Sequence, residues 1–263
     1  MDKPNPMYSE GMPESEILRM RELEYPSKIS ASLLPENLTN KKIADIGAGP
    51  NPDLGKIVKS RGGTYFAFDL NQKMAKIQKT FADNRLVIQG STLNLPFPTE
   101  SFDIIHTRFV IMNLHKKQRQ QAIAELARTG KRNLVIDWDW DAFKSKNTNI
   151  NKLIQLAKLV ATVAGSDLNH GSKLKNQVSE ALESTDASYE ISQNEFNEGP
   201  ISGPKAYAEI IRLAESMAAL ANNLYLTETA KDILEIKSEL EKTANFAIPF
   251  TRPDIVVVDF SKK

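Results

Sequence analysis

Apolar positions along this chain follow two periods that take turns. Short runs with every residue or every second residue apolar predict strands over 42–46, 64–68, 85–89, 102–107 and 133–137. Between them, apolar spacing of three to four residues predicts helices over 52–60, 72–81 and 116–128. The last of these sets Ala122, Ile123, Leu126 and Ala127 on one stripe and Gln120, Gln121 and Glu125 off it, so one face packs on a sheet. A helix over 13–25, with Glu14 and Glu16 in its first turn, precedes the first strand. After Trp140 the pattern turns helical: helices over 151–164 and 173–182, a strand over 189–196, two helices within 203–243, and a last strand over 255–260.

Strands alternating with helices imply an α/β fold, a doubly wound and mostly parallel sheet with helices on both faces. The chain divides into an N-terminal helical lid over 1–40, an α/β core over 41–146, and a remainder over 147–263 that completes the sheet and carries a helical cap. Helical material inserted before a final strand is suited to covering a site. At 263 residues, one elaborated domain accommodates all of it.

Composition narrows the chemistry. Lys and Arg number 34 against 33 Asp and Glu, a net charge of +1, which argues against nucleic acid or anionic membrane as the main partner. The absence of cysteine excludes thiolate zinc sites and cysteine nucleophiles, and three scattered histidines (His106, His115 and His170) make no metal site. The basic runs HKKQR and GKR read as a solvated face rather than an RNA footprint. There is no basic-then-apolar leader and no apolar run of about 20 residues, so the expectation is a cytoplasmic protein, monomer or homodimer, acting on a small molecule.

The most informative segment is KKIADIGAGPNPDLGKIV, where an apolar strand runs through Gly47, Ala48 and Gly49 straight into a helix start. Residues without Cβ let the backbone turn tightly and approach a ligand. Asn51 can cap the helix, and Pro52 suits its first position. Twenty residues after Gly49, Asp69 ends the second strand, where a carboxylate can accept both hydroxyls of a ribose. A dinucleotide site wants a further glycine three residues after Gly49, and Pro52 stands there instead. An adenosine-type ligand other than NAD or FAD is the expectation.

On these residues the sequence resembles the class I S-adenosylmethionine-dependent methyltransferases, and among them the small-molecule domain called type 11. DIGAGPN is similar to the family's first motif, which implies that Asp45 and the glycine turn cradle the methionine part of the cofactor. FDLNQKM is similar to the second, implying Asp69 on the ribose with Leu70 beside it. GSTLNLPFPTESFDIIHTRFVIMNL resembles the stretch that passes the adenine and follows the fourth strand. The likeness runs from about Glu14 to Asp141. It departs from the family at Ser91, where an acid is common, so the adenine contact falls to the Ser91 hydroxyl or to Thr92 and Leu93. Asn51 replaces the third glycine, and the glycine pair before the fifth strand is absent from TGKRN.

Methyl transfer from a sulfonium is an in-line displacement that needs an acceptor held at attack distance and water kept out, but no protein nucleophile. Ligands in such sheets lie beyond the carboxyl ends of the strands, which draws attention to His106, Thr107 and Arg108 after the fourth and to IDWDWDAF after the fifth. His106 is a candidate general base or a hydrogen-bonded structural residue; Arg108 binds a carboxylate or makes a surface ion pair. Alternation places Asp137 and Asp139 on one side and Trp138 and Trp140 on the other, and parity alone does not say which side meets the ligand. Asp137 is preferred as the site residue. In the N-terminal segment, Tyr8, Arg19, Arg21 and Tyr25 are candidates to pin the cofactor carboxylate, Arg21 and Tyr25 foremost, and His170 is either a cap residue reaching the pocket or a loop residue.

The expected function is methylation of a small molecule. Two alternatives stay open: an enzyme that spends the cofactor otherwise, such as closure of its methionine part to azetidine-2-carboxylate with release of methylthioadenosine, and a non-catalytic cofactor-binding protein.

Overall fold

The computed structural model describes residues 12–80, 86–185, 187–243 and 248–263. Its centre is a seven-stranded sheet in the order β3-β2-β1-β4-β5-β10-β7. The strands are β1 (Lys42–Ile46), β2 (Thr64–Asp69), β3 (Val87–Gln89), β4 (Phe102–Arg108), β5 (Gly130–Asp139), β7 (Tyr189–Phe196) and β10 (Asp254–Lys262). β1 to β5 pair in parallel, whereas β10 runs antiparallel to both β5 and β7. Strand order reverses direction between β1 and β4, and the crevice outside their carboxyl ends is where open α/β sheets bind ligands.

Alternation sorts side chains to the two faces. Ile43, Tyr65, Ile104 and Leu134 face α3 (Asp53–Ser60) and the end of α2 (Glu24–Leu33), with Ala75 of α4 (Gln72–Gln78) in the same cluster. Ala44, Ile46, Ile105 and Val135 face α5 (Lys116–Thr129) and α7 (Gly171–Glu183). A third cluster joins the carboxyl end of β5 to the cap helices α6 (Thr148–Val163), α8 (Pro204–Asn223) and α9 (Thr227–Thr243). Against α8 lies α1 (Glu14–Arg21), so the first helix of the described chain meets a helix of the cap. No helix among the described residues is long and apolar enough to cross a membrane.

Several elements differ from expectation. The helix expected over 13–25 is two helices, α1 and α2, broken at Glu22 and Leu23. Pro26 explains the break: it has no N–H to give the Glu22 carbonyl, and its ring would clash there if the helix ran on. α2 was not anticipated, because SKISASLL has serines among its apolar positions and buries Ser27 and Ser30 along with Ile29. Three two-residue strands, β6 (Lys144–Ser145), β8 (Pro200–Ile201) and β9 (Phe250–Thr251), form a second sheet too short to leave a period in the sequence. Tyr8, Phe81 at the end of the helix expected over 72–81, and Arg85 at the start of the strand expected over 85–89 lie outside the described residues.

Candidate active site

The turn after β1 is built as its glycines require. Gly47 has φ +74° and Gly49 φ +58°, both in the left-handed region that side chains disfavour. A Cβ on Gly47 would stand 2.2 Å from Cγ2 of Val110, so the backbone here is pressed against the segment that follows β4. Gly47 and Ala48 donate their N–H groups to the Phe68 carbonyl at 2.7 and 3.1 Å. Gly49 N donates to Asp69 Oδ2 at 2.8 Å, while Asp69 Oδ1 accepts from Asn71 N at 2.8 Å. Burial raises the Asp69 carboxyl to about 6, against the pull of these two amides. From beneath, the buried Gln78 amide donates to the carbonyls of Gly49 (2.8 Å) and Asn51 (3.0 Å). Nothing in the sequence distinguished Gln78 from the other polar residues of α4.

Asn51, at the third-glycine position, keeps an ordinary backbone. Its Oδ1 accepts from Asp53 N at 2.8 Å and starts α3, with Pro52 as the helix's boundary residue. Its amide donates to Ser27 Oγ at 3.4 Å and to the Arg21 carbonyl at 3.4 Å, fastening the glycine turn to the N-terminal helices.

Around this turn lies a cavity of about 340 Å³. Asp45, Gly47, Ala48, Gly49 and Asn51 line its floor, with Asp69, Leu70, Ser91, Thr92, Leu93 and Arg108 around the rim. The Ser91 hydroxyl is occupied, accepting from Leu93 N at 3.2 Å. Thr92 Oγ1 is buried with no partner among the described residues. Arg108 donates to Ser27 and Ser30 at 3.4 Å; burial lowers its guanidinium from the usual range, opposed chiefly by the Asp45 charge.

Six expected site residues lie elsewhere. His106 is buried on β4 with both ring nitrogens engaged, by Asp45 and by Ser30, and does not line the cavity. Thr107 faces the opposite side and donates to the Ile46 carbonyl at 2.8 Å. Asp137 also points to the α7 side, where its Oδ2 lies 2.7 Å from His170 Nδ1 and accepts from Met112 N at 3.1 Å. Burial raises its carboxyl despite that histidine. His170 is thus the loop residue just before α7, fully buried against Asp137, and it does not line the pocket. Arg21 is exposed, whereas Arg19, two residues earlier, turns inward. Tyr25 lines a neighbouring cavity instead, with the Arg252 guanidinium 5.5 Å above its ring.

Parity at the end of β5 therefore resolves in favour of the indoles: Trp138 and Trp140 line the cavity. Trp138 stacks on Phe109 at 4.4 Å and 9°. Phe109 adopts φ 59°, a left-handed backbone for a bulky residue, held by its N–H on the Ile136 carbonyl at 2.7 Å. The remaining wall comes from distant parts of the chain. Glu16 and Arg19 form a two-pronged pair at 2.6 and 2.7 Å, and the Ser216 hydroxyl of α8 donates to the same Glu16 carboxylate. Leu213 and Met217 of α8 complete it. α8 carried an apolar period, but that period does not say which strand ends it covers.

Residues 44–134 match the sequence pattern of the methyltransferase domain, the part of the chain that holds the glycine turn, Asp69 and Arg108. This stretch of the chain is similar to a methyltransferase domain. The chain is 26% identical over 141 residues to the ubiquinone/menaquinone biosynthesis C-methyltransferase UbiE of Pectobacterium carotovorum, a match covering 48% of this chain and 56% of that protein. The chain thus spans little more than half the length of the curated relatives it matches. Among solved structures it is similar in fold to the YcgJ protein of Bacillus subtilis, with TM-score 0.57 and 19% identity over 90% of this chain and 99% of that one. It also resembles phosphoethanolamine N-methyltransferase 2 of Haemonchus contortus, with TM-score 0.56 and 12% identity over 91% of this chain and 53% of that one.

The residues of this stretch fit S-adenosylmethionine. The glycine turn brings bare backbone to the cavity, Asp69 keeps lone pairs beyond its two loop amides, and the buried Thr92 hydroxyl has no partner among the described residues.

Proposed function

We propose that this protein transfers the methyl group of S-adenosylmethionine to a small molecule by in-line displacement. The observation that carries the reading is the bond between Gly49 N and Asp69 Oδ2 at the mouth of the β1–β2–β4 crevice. It ties a close-approach backbone to a carboxylate suited to vicinal hydroxyls. In this reading Asp69 accepts from the ribose, Asp45 and the turn 47–49 hold the methionine part, and Ser91, Thr92 and Leu93 meet the adenine. Arg108 offers its guanidinium to the cofactor carboxylate, aimed by the hydroxyls of Ser27 and Ser30. When bound, the cofactor supplies an electrophilic methyl on a positively charged sulfur.

The rest of the chain then has two tasks, to orient the acceptor and to keep out water. The buried Glu16–Arg19–Ser216 connection, which closes α1 onto α8, supports the second task. The aromatic wall at Trp138, Trp140 and Phe109 supports the first.

Calorimetric titration with S-adenosylmethionine and with NAD tests the cofactor half: the first binds and the second does not. Mass analysis of turnover with metabolite extract tests the reaction. S-adenosylhomocysteine as product supports methyl transfer. Methylthioadenosine formed without an acceptor would instead establish the cyclising or eliminating alternative, and binding with no product at all would establish a non-catalytic role.

A further inference from the structure

A second cavity, of about 60 Å³, adjoins the first, and Arg19, Leu23, Trp138, Trp140 and Leu213 line both. Its own walls include Tyr25, Phe143, Ile210 and Phe250, together with five charged side chains. Trp140 meets Phe143 edge to face at 5.1 Å and 76°, and Phe143 lies 6.0 Å from Phe250. Continuing from the Phe109–Trp138 stack, these rings make an aromatic passage from the end of the cofactor crevice to beneath the small sheet.

The charges around this passage cancel locally. Arg19 is paired with Glu16 at 2.6 Å, Arg252 with Glu209 at 2.9 Å, Arg212 with Glu22 and Lys205 with Glu24. Each guanidinium that borders the side cavity therefore already holds a carboxylate, which leaves no anion site for a phosphate ester. Arg252 also lies over the Tyr25 ring, so that face is already covered by a cation.

Size narrows the ligand further. Benzene occupies an apolar protein cavity of about 150 Å³, so by proportion about 60 Å³ takes roughly two or three heavy atoms. Resting on the methyltransferase reading, we propose that the acceptor is an alkyl-substituted aromatic ring. The ring lies against Trp138 and Phe109, and a substituent of ethyl to propyl size enters the side cavity between Trp138, Trp140 and Ile210.

Trp138 and Trp140 are the only tryptophans in the sequence, so intrinsic fluorescence reports directly on this region. The full chain is first titrated with S-adenosylhomocysteine; failure to bind sinks the functional reading itself. The loaded protein is then titrated, by calorimetry and tryptophan emission, with phenol, 4-propylphenol and phosphocholine. The expected result is at least about tenfold tighter binding of 4-propylphenol than of phenol, with an emission change, and no binding of phosphocholine. Ile210→Phe, which fills the side cavity only, abolishes the propyl preference and leaves S-adenosylhomocysteine affinity within about twofold. Phe250→Ala, which enlarges the same cavity, serves if that variant does not fold, and it moves the preference towards longer alkyl chains. Equal affinities for phenol and 4-propylphenol, tight phosphocholine binding, or a propyl preference unchanged in the variants would each overturn the proposal while leaving the cofactor site standing.

Discussion

His106 and Asp45 are register partners on β4 and β1, with Nδ1 of the ring 2.9 Å from Oδ1 of the carboxylate. The ring's other nitrogen lies 2.9 Å from Ser30 Oγ, and Arg108 donates to that same hydroxyl. A carboxylate only accepts, so the ring presents an N–H from Nδ1 to Asp45, and the Ser30 hydroxyl, which accepts from Arg108, still has its one hydrogen to give to Nε2. Tyr65 donates to the second oxygen of Asp45 at 2.9 Å, its hydroxyl pushed well above its usual range by burial and so kept protonated. A chain of directed bonds thus runs from the floor of the cofactor cavity to α2, and it fixes the orientation of both Asp45 and Arg108.

Removing the ring breaks this chain at two buried points. His106→Leu leaves Asp45 Oδ1 without a partner and Ser30 with Arg108 alone, and lowers unfolding free energy by about 2–4 kcal/mol. His106→Asn, whose amide can still donate to Asp45, recovers about half of that loss. Urea denaturation of the two variants measures the difference; equal stabilities would mean that the bond to Asp45 contributes nothing.

Asp69 links the cofactor to pH. Its folded value of about 6 lies above the unfolded 3.8, so the ligand-free fold binds an extra proton between the two. Its stability therefore falls as pH rises through that window, by at most about 3 kcal/mol, and is level above it. Cofactor hydroxyls favour the ionised form, so affinity for S-adenosylmethionine is full above about pH 6 and weakens about tenfold per unit below it. Calorimetry across that range checks the slope. Asp69→Asn, which sets an NH₂ against the Gly49 or Asn71 N–H, abolishes the pH dependence and lowers affinity about 100-fold.

Gly47 is the tightest point of the turn. Gly47→Ala meets Val110 at 2.2 Å and adopts an unfavourable φ, destabilising the fold by about 2–4 kcal/mol. Adding Val110→Ala relieves the clash but not the φ cost of about 1–2 kcal/mol, so a double-mutant cycle shows positive coupling. Strict additivity would show that the two side chains do not collide.

Asp137 gives the opposite signature from a site residue. It sits with His170 on the α7 side, so Asp137→Asn lowers stability by about 1–3 kcal/mol and changes affinity for S-adenosylmethionine less than about twofold. Thermal unfolding and calorimetry on one preparation separate the two effects, and a large loss of affinity at unchanged stability would return Asp137 to the site.

These cases show where local reading succeeds. Gly47, Gly49, Asn51 and Asp69 were legible because strand, turn, helix and second strand adjoin along the chain, and each requirement is met within a few residues: a missing Cβ, a short side-chain acceptor, a carboxylate at a strand end. Alternation along β5 likewise put Asp137 and Trp138 on opposite faces. It could not assign the faces, because a period of two is symmetric until something packs against one side. Here α7 brings His170 to Asp137, and α8 brings Leu213 to the indoles. The same holds for Glu16, whose serine partner lies 200 residues away on α8, and for His106, whose place in a buried chain depends on α2 crossing β1 and β4. Hydrogen-bond direction and cavity shape arise only when segments remote along the backbone come within about 3 Å, and no local periodicity encodes that approach.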